Sequence, residues 1–254
     1  MATFGLVDES DRAVIADVGT FCSRFGFAGE EFPSAMFPSS VGVIPAPSSS
    51  SKSKLSYHFD LNNFREHMTI YNPNIARGDV TSDNSLVQDW DVLERVYEHA
   101  YSSEYLSINP KTRPVMISEK TTGPAHTREG MRNRVKLSEL MFETFEHSKM
   151  FTAKDAALAC YANGKTGGIV VDIGFNGSVV SPVLDGYVDT RSVLTMPVGG
   201  LYMDQYMAGL LNDQDIKLSP RFRYLESVTA ENTLSYPPIP VQNVDPVYDR
   251  FMAL

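Results

Sequence analysis

Two short segments of the sequence join an apolar run to the same pattern, Asp-x-Gly. The first contains Asp17 and Gly19, and the second, about 155 residues further along the chain, contains Asp172 and Gly174. A glycine-rich turn lets backbone N–H groups approach phosphate oxygens, because no Cβ stands in the way. Two facing carboxylates can also hold a hydrated Mg²⁺, which prefers one or two carboxylates together with waters and phosphates. The repeated pattern therefore predicts a duplicated domain with a nucleotide phosphate site in the cleft between its halves.

Side chains close to the two turns have the chemistry to complete such a site. The hydroxyls of Thr20 and Ser178 can each donate to a phosphate oxygen, and Arg24 adds a positive charge. The same spacing is also typical of two ordinary hairpin turns, in which the aspartates accept hydrogen bonds from nearby backbone N–H groups. Spacing alone leaves both interpretations open.

The elements that must position these residues have the pattern of an α/β protein. Apolar runs at residues 13–17 and 113–119 predict buried strands, and the run at 169–172 predicts a second apolar strand that ends in an aspartate. Residues 23–29 predict a hairpin partner for the first of these strands. Asp185 and Gly186 predict a second hairpin turn. Apolar residues at helical spacing predict helices over residues 87–101 (with Asp89 as N-cap), 127–145, 154–164 and 201–211.

Two segments do not follow these patterns. Residues 45–54, PAPSSSSKSK, predict a mobile insertion, since proline blocks strand pairing and serine cannot bury apolar surface. The proline-rich stretch from Leu218 onward predicts surface loop or partial disorder. Trp90 and the methionines of YMDQYMAGLL are predicted to pack in the core.

Composition excludes several classes of function. The formal net charge is −9, and no basic block is present, so direct binding of nucleic acid is not expected. Two cysteines in unrelated contexts predict neither a disulfide scaffold nor a zinc site, and they favour a reducing compartment. The first residues lack a signal-peptide pattern, and no apolar stretch reaches the roughly 20 residues that span a bilayer. The five histidines show no ligand spacing, and the RGD tripeptide at 77–79 is interpreted as a turn.

Several longer segments resemble actin and occur in the order in which actin has them. They are FGFAGEEFPSAMFPSSVG, VQDWDVLERVYEHAY, RPVMISE, KLSELMFETF, AALACYANGKTGGIVVDIG and VLDGYV. The resemblance extends over residues 13–211 and is specific because many motifs share one order. Within the actin-related proteins, VQDWD, LSELMFE and YANGK are most similar to the nuclear actin-like subunit of chromatin remodelling and histone acetyltransferase complexes.

The resemblance implies an α/β fold of the actin/Hsp70/hexokinase (ribonuclease H-like) type, with ATP between two halves. It implies a first half at residues 1–160, with a modified small subdomain at about 43–85, and a partial second half at 161–254. The residues that match the family's nucleotide contacts are Asp17, Gly19, Thr20, Arg24, Asp172, Gly174, Asn176, Gly177 and Gly200. A water-mediated Mg²⁺ would lie near Asp17, Asp155 and Asp172.

Three departures from the family pattern bear on catalysis. Phe21 stands where actin has the second glycine of its first loop, Asp155 replaces the glutamine that orients the attacking water, and Val179 replaces a nearby histidine. Because hydrolysis needs a positioned water, slow or absent ATPase activity is expected. The motifs that contact adenosine in actin are not visible up to Leu254, so binding of ATP with Mg²⁺ is expected to be weak.

The resemblance then implies a non-catalytic scaffold subunit in the nucleus. Its implied partners are a long helix of a remodeller ATPase or scaffold subunit, and actin or another actin-related protein, without direct contact to nucleic acid or membrane. The alternatives are an active actin-type ATPase and a cytoplasmic, cytoskeletal actin-related protein.

Overall fold

The computed structural model describes residues 12–45, 55–75, 86–123, 127–224, 227–228, 234–235, 238 and 241–253. The serine-rich segment and the RGD tripeptide fall outside these residues, so the predictions made for them stay predictions.

The described residues form strands β1 to β14 and helices α1 to α5, in chain order. The strands are Val14–Val18, Cys22–Phe27, Ala35–Pro38, Val41–Ile44, Ser56–His58, Thr69–Tyr71, Val115–Glu119, Met150–Lys154, Gly168–Ile173, Ser178–Leu184, Tyr187–Val188, Leu194–Met196, Ser227–Val228 and Leu234–Ser235. The helices are Trp90–Tyr101, Thr127–Glu139, Asp155–Ala162, Gly200–Asp213 and Pro246–Ala253.

A five-stranded sheet in the order β3-β2-β1-β7-β8 organises the first part of the chain. Strand β1 pairs antiparallel with β2, as the hairpin prediction required, and parallel with β7, which pairs parallel with β8. The predicted strand at 113–119 is β7. Strands β1 and β7 lie inside this sheet, and Val14, Ala16, Val115 and Ile117 are buried.

The core of this sheet is large and aromatic. The ring of Phe25 packs edge-on against Tyr97 of α1, with centroids 5.2 Å apart. Tyr97 is fully buried, so desolvation raises the pKa of its hydroxyl, and the charge of Asp17 raises it further. Trp90 packs against this core, and Asp89 accepts a hydrogen bond from Val92 N, so the predicted packing and N-cap are confirmed.

The helix predicted over 127–145 is regular only as far as Glu139. The next residues, Leu140–Thr144, form a π turn, with Phe145 N donating to Leu140 O at 3.1 Å. Leu140 and Met141 are both buried there. The predicted apolar stripe therefore reaches the core through a local change of helical period, which the spacing did not indicate.

A second sheet is built around β10, with β9 along one edge and β11 and β12 along the other. The turn between β10 and β11 has positive φ at Asp185 (48°) and Gly186 (82°), which confirms the predicted hairpin. Helix α3 packs Ala156 and Cys160 against Val183 of this sheet. Helix α3 spans residues 160 and 161, where the resemblance implied the division between the two halves, and that division stays a prediction.

A third, three-stranded sheet in the order β5-β4-β6 packs against α5. Tyr248 of α5 is completely buried and donates its hydroxyl to Leu61 O at 2.7 Å. The rings of Phe64 and Phe222 stack beside it, with centroids 4.9 Å apart. The prediction of loop or disorder after Leu218 is wrong for this helix, because its apolar residues find a tertiary partner more than 170 residues away in sequence.

Helix α4 forms where it was predicted, but its methionines do not have the predicted core role. Met203 and Met207 are more than half exposed, so these methionines do not fill the core. No helix in the described parts of the chain combines the length and the apolar character that a membrane span requires.

Candidate functional site

The two Asp-x-Gly turns lie in the wall of one open cavity of about 520 Å³ between the five-stranded and the four-stranded sheets. Asp155, at the start of α3, and Val179, on β10, line the same cavity. It also collects every residue that the resemblance implied for nucleotide contact: Asp17, Gly19, Thr20, Arg24, Asp172, Gly174, Asn176, Gly177 and Gly200.

The two turns share one backbone geometry. In the first, Gly19 N donates to Cys22 O at 3.2 Å, and in the second, Gly174 N donates to Gly177 O at 2.9 Å. Each bond therefore closes a turn from the glycine to the third residue after it, and each turn joins two antiparallel strands. The repeat seen in the sequence is a repeat of structure.

Buried asparagines hold the first turn from behind. Asn72 Nδ2 donates to Thr20 O at 2.8 Å, and Asn74 Nδ2 donates to Val18 O at 3.2 Å. Both asparagine side chains are nearly inaccessible. Because these carbonyls are bound on the protein side, the first turn has a fixed orientation toward the cavity.

The charges of the two turns are not equivalent. Asp17 faces Arg24 across the β1–β2 ladder, and Arg24 Nη1 lies 3.6 Å from Asp17 Oδ2. Asp172 occupies the matching position of the second ladder, where it faces the uncharged side chain of Val179. The first carboxylate is therefore partly neutralised by its cross-strand partner, whereas the second is exposed to the cavity beside an apolar side chain.

Asp155 is engaged by the protein itself. Its Oδ1 accepts hydrogen bonds from Thr121 N (2.9 Å), Thr121 Oγ1 (2.5 Å) and Ala156 N (2.7 Å). Its Oδ2 lies 3.9 Å from Lys120 Nζ. This carboxylate joins the segment after β7 to the first turn of α3, so it has a structural role in this fold.

Two residues predicted near the nucleotide make other contacts in this structure. Ser178 is buried and donates its hydroxyl to Val198 O, and its predicted contact with a phosphate stays a prediction. Gly200 lines the cavity, but its N–H donates to Gly174 O at 3.0 Å. A Cβ at Gly200 would lie 3.2 Å from Cδ2 of Phe175, so the glycine makes room for that ring.

The three carboxylates predicted near Mg²⁺ line the cavity together. Among the described residues, no three or more His, Cys, Asp or Glu side chains converge closely enough to hold a metal ion. Two carboxylates with waters and phosphate oxygens can hold Mg²⁺ without such a cluster. Asp17 and Asp172 fit that smaller requirement, and the metal site stays a prediction.

Sequence reasoning missed several residues of the site. Lys120 and Asp204 line the cavity, and Asn72 and Asn74 support it. The sequence NPN at residues 72–74 is typical of a turn, but nothing local indicates that its amides reach a turn more than 50 residues earlier. Lys120 follows a strand that ends at the cavity, and that position was the only available signal.

Comparison with known proteins places this geometry in a family. The family model described as Actin matches residues 8–253. The chain is 32% identical over 240 residues to "Actin-related protein 4" of Oryza sativa subsp. indica, covering 84% of this chain and 51% of that protein. It is 28% identical over 243 residues to "Actin-related protein 4" of Arabidopsis thaliana, covering 84% of this chain and 50% of the relative.

A further relative is "Actin-related protein 2" of Arabidopsis thaliana, 31% identical over 216 residues, which cover 80% of this chain and 50% of the relative. The chain thus spans about half the length of the curated relatives it matches. The family match covers nearly the whole chain, and the expected α/β fold of the actin type is confirmed with it. By this match, and by the paired turns that face one cleft, the chain belongs to the actin family.

Proposed function

We propose that this chain is a non-catalytic, actin-like scaffold subunit of a nuclear chromatin remodelling or histone acetyltransferase complex, and that its cleft holds ATP without hydrolysing it efficiently. The nuclear part of the proposal rests on the resemblance of VQDWD, LSELMFE and YANGK to the nuclear actin-like subunit. The names of the relatives support an actin-related protein, and they do not state a location or a complex.

One observation carries the non-catalytic part of the proposal. Hydrolysis requires a group that orients water toward the terminal phosphate. One carboxylate oxygen of Asp155 accepts three hydrogen bonds, and the other faces Lys120. Val179, which stands at the family's histidine position, has no polar atom in its side chain. Neither position offers a free amide or imidazole to a water molecule.

The cleft fits the phosphates of a nucleotide. The two glycine turns line one cavity, and the carboxylates of Asp17 and Asp172 could share a Mg²⁺ that neutralises the phosphates. When bound, that ion would supply charge compensation. Arg24 and Lys120 are the cations of the chain itself that line the cavity.

Exposed apolar side chains on the first half form a candidate binding surface for a partner helix. Met131 and Val135, one helical turn apart on α2, are each more than half exposed, and Phe142 follows on the π turn. Phe151 is also exposed on β8, an edge strand of the five-stranded sheet. Apolar side chains at this spacing suit the apolar face of a long helix.

A nucleotide test addresses the cleft directly. The purified full chain is denatured and the released nucleotide identified by chromatography, and single-turnover phosphate release is then followed with radiolabelled ATP. We expect bound ATP and no phosphate release above the rate in buffer. A variant with Asp17→Ala is expected to lose the nucleotide, while Asp60→Ala, on an exposed loop outside this cavity, is expected to keep it. Phosphate release by the unmodified chain at a catalytic rate contradicts the proposal.

A partner test addresses the scaffold role. The full chain is tagged in its own organism, and its co-purifying proteins are identified together with its location in the cell. We expect a nuclear protein that co-purifies with an ATPase or scaffold subunit carrying a long helix. Met131→Asp with Val135→Asp should release that subunit, while Met36→Asp, equally exposed on the opposite edge of the sheet, should not. Recovery without any such subunit counts against the scaffold role.

An active actin-type ATPase or cytoskeletal protein is the second candidate, with the cytoplasm as its location. The matched backbone geometry of the two glycine turns favours it. The same two experiments separate it from the first candidate, since it requires phosphate release and a cytoplasmic signal.

A further inference from the structure

Two phenylalanine rings meet between the glycine turns. Phe21 is the second residue after Gly19, and Phe175 follows Gly174 directly. Their ring centroids lie 5.3 Å apart with an angle of 41° between the planes, so the rings are in contact. Both side chains line the cavity, and they connect the first turn to the second across it.

The backbone behind each ring is held in place. Phe21 O accepts a hydrogen bond from Ser39 N at 3.0 Å, and Phe175 O accepts one from Leu201 N at 2.9 Å. On the second turn, the ring of Phe175 also rests against Gly200, where a Cβ would be 3.2 Å from it. The rings can therefore part by rotation of the Phe21 side chain, which is 67% exposed, more readily than by movement of either turn.

The rings join the two turns within the cavity, so a phosphate that contacted both turns would compete with them for the space between the turns. To admit it, the ring contact has to break. An aromatic face also carries the negative end of a quadrupole, so it does not attract an anion in place of the contact that is lost. A phosphate held by one turn alone does not meet this obstacle.

We propose that the Phe21–Phe175 pair determines ligand specificity in the cleft by disfavouring a phosphate group that contacts both turns. The inference rests on the proposed function, because it assumes that the cleft takes a nucleotide. Because of the ring pair, the terminal phosphate of ATP contributes less binding affinity than it would if both turns could contact it freely. Discrimination between ATP and ADP is therefore weak in this chain, and the pair is the reason.

The test opens the pair and measures both nucleotides. Binding of ATP and of ADP, each with Mg²⁺, is measured by isothermal titration calorimetry on the full chain and on Phe21→Gly, Phe21→Ala and Phe175→Ala. Breaking an aromatic contact of this kind corresponds to about a three- to tenfold change in affinity. We expect each variant to bind ATP more tightly by about that factor and to bind ADP with little change. Phe32→Gly is the matched control, since Phe32 is 74% exposed and lies outside this cavity.

The outcomes separate this inference from the proposed function. If the unmodified chain binds nucleotide and none of the phenylalanine variants binds ATP more tightly, the specificity role of the Phe21–Phe175 pair is wrong and the proposed function stands. If the unmodified chain binds neither nucleotide but Phe21→Gly binds ATP, the specificity role of the pair stands and the proposed retention of ATP fails. If Phe32→Gly gives the same gain as Phe21→Gly, or if ATP and ADP gain equally, the specificity role is overturned. Thermal unfolding of each variant checks that a lost signal is not a lost fold.

Discussion

The two sheets that build the cleft are packed in opposite ways. Around the five-stranded sheet, eighteen buried apolar residues from strands and helices form one continuous core. Around the four-stranded sheet, the buried cluster contains only Ala156, Cys160 and Val183 among the described residues. Strand β9 leaves Ile169, Val171 and Ile173 between 59% and 75% exposed. The first sheet is thus stabilised by its own segment of the chain, while the second holds its half of the site with little apolar burial.

The contrast matters for the site, because one glycine turn belongs to each sheet. A turn on the first sheet is backed by a dense core and by the amides of Asn72 and Asn74. A turn on the second sheet depends on the β9–β10 ladder and on the start of α4. Local stability follows the density of buried contacts, so the second turn should open more easily than the first.

The largest expected effect tests the core contrast with two matched leucines. Leu93 of α1 is 2% exposed, and Leu194 of β12 is 66% exposed. Leu93→Ala should lower the free energy of unfolding by about 2–5 kcal/mol, because it leaves a cavity in a packed core. Leu194→Ala should change it by less than about 0.5 kcal/mol. Urea unfolding followed by the fluorescence of Trp90 measures the first change, and circular dichroism measures both. Equal losses would remove the contrast.

The joint between the sheets is tested by two threonines. Thr121 is buried and donates to Asp155 at the start of α3, while Thr112 donates to Asn109 O at the surface. Thr121→Val should lower the free energy of unfolding by about 1.5–3 kcal/mol, the range for hydrogen bonds to charged groups. Thr112→Val, the control, should have a much smaller effect in the same thermal unfolding experiment. Insensitivity at Thr121 would mean that Asp155 does not fasten α3 to the first sheet.

A buried histidine beside the first sheet should make the free energy of unfolding depend on pH. All five histidines precede residue 150, and burial lowers the pKa of His147 below its ordinary value of 6.5. Hydrogen bonds with the backbone of Arg113 and Pro110 raise this pKa and only partly offset the effect of burial. Below about pH 6.5 the unfolded chain binds a proton at this position that the folded chain refuses, so stability falls as pH falls.

One such proton changes the free energy of unfolding by at most about 1.4 kcal/mol per pH unit. Urea midpoints measured between pH 7.5 and 5.0 should fall, and the slope should be shallower in His147→Gln. An unchanged slope in that variant would assign the pH dependence to other groups.

The smallest effect on stability concerns the exposed edge of the second sheet. Ile169→Lys should change the free energy of unfolding by less than about 0.5 kcal/mol, because the side chain is 75% exposed. An exposed apolar edge strand favours pairing between copies, so we expect the unmodified chain to self-associate in sedimentation velocity and Ile169→Lys to reduce that association. Met36→Lys, on the edge strand β3, is the control. On β3, Met36 is the only large apolar side chain that is exposed, so this edge has no apolar strip for the lysine to interrupt. Met36→Lys should therefore leave association unchanged. Equal effects of the two variants would mean that the edges do not differ.

Much of the architecture was accessible from the sequence because it is locally encoded. Apolar runs located β1, β7 and β9, and Asp89 marked the start of α1 correctly. The turn at Asp185 and Gly186 follows from residues that tolerate positive φ. Helix α5 and the π turn after α2 were missed, because their form depends on partners distant in sequence.

The sequence by itself determined the two Asp-x-Gly turns, the strands that carry them and the family to which the chain belongs, since each depends on residues close together in the chain. Only the tertiary structure decided what those residues can do. It engaged Asp155 with Thr121, spent the hydroxyl of Ser178 on Val198, and brought two phenylalanine rings into contact across the cleft. The physical reason is that a donor or a carboxylate has a fixed chemistry but limited capacity. Which partner takes up that capacity depends on the segments that folding brings beside it.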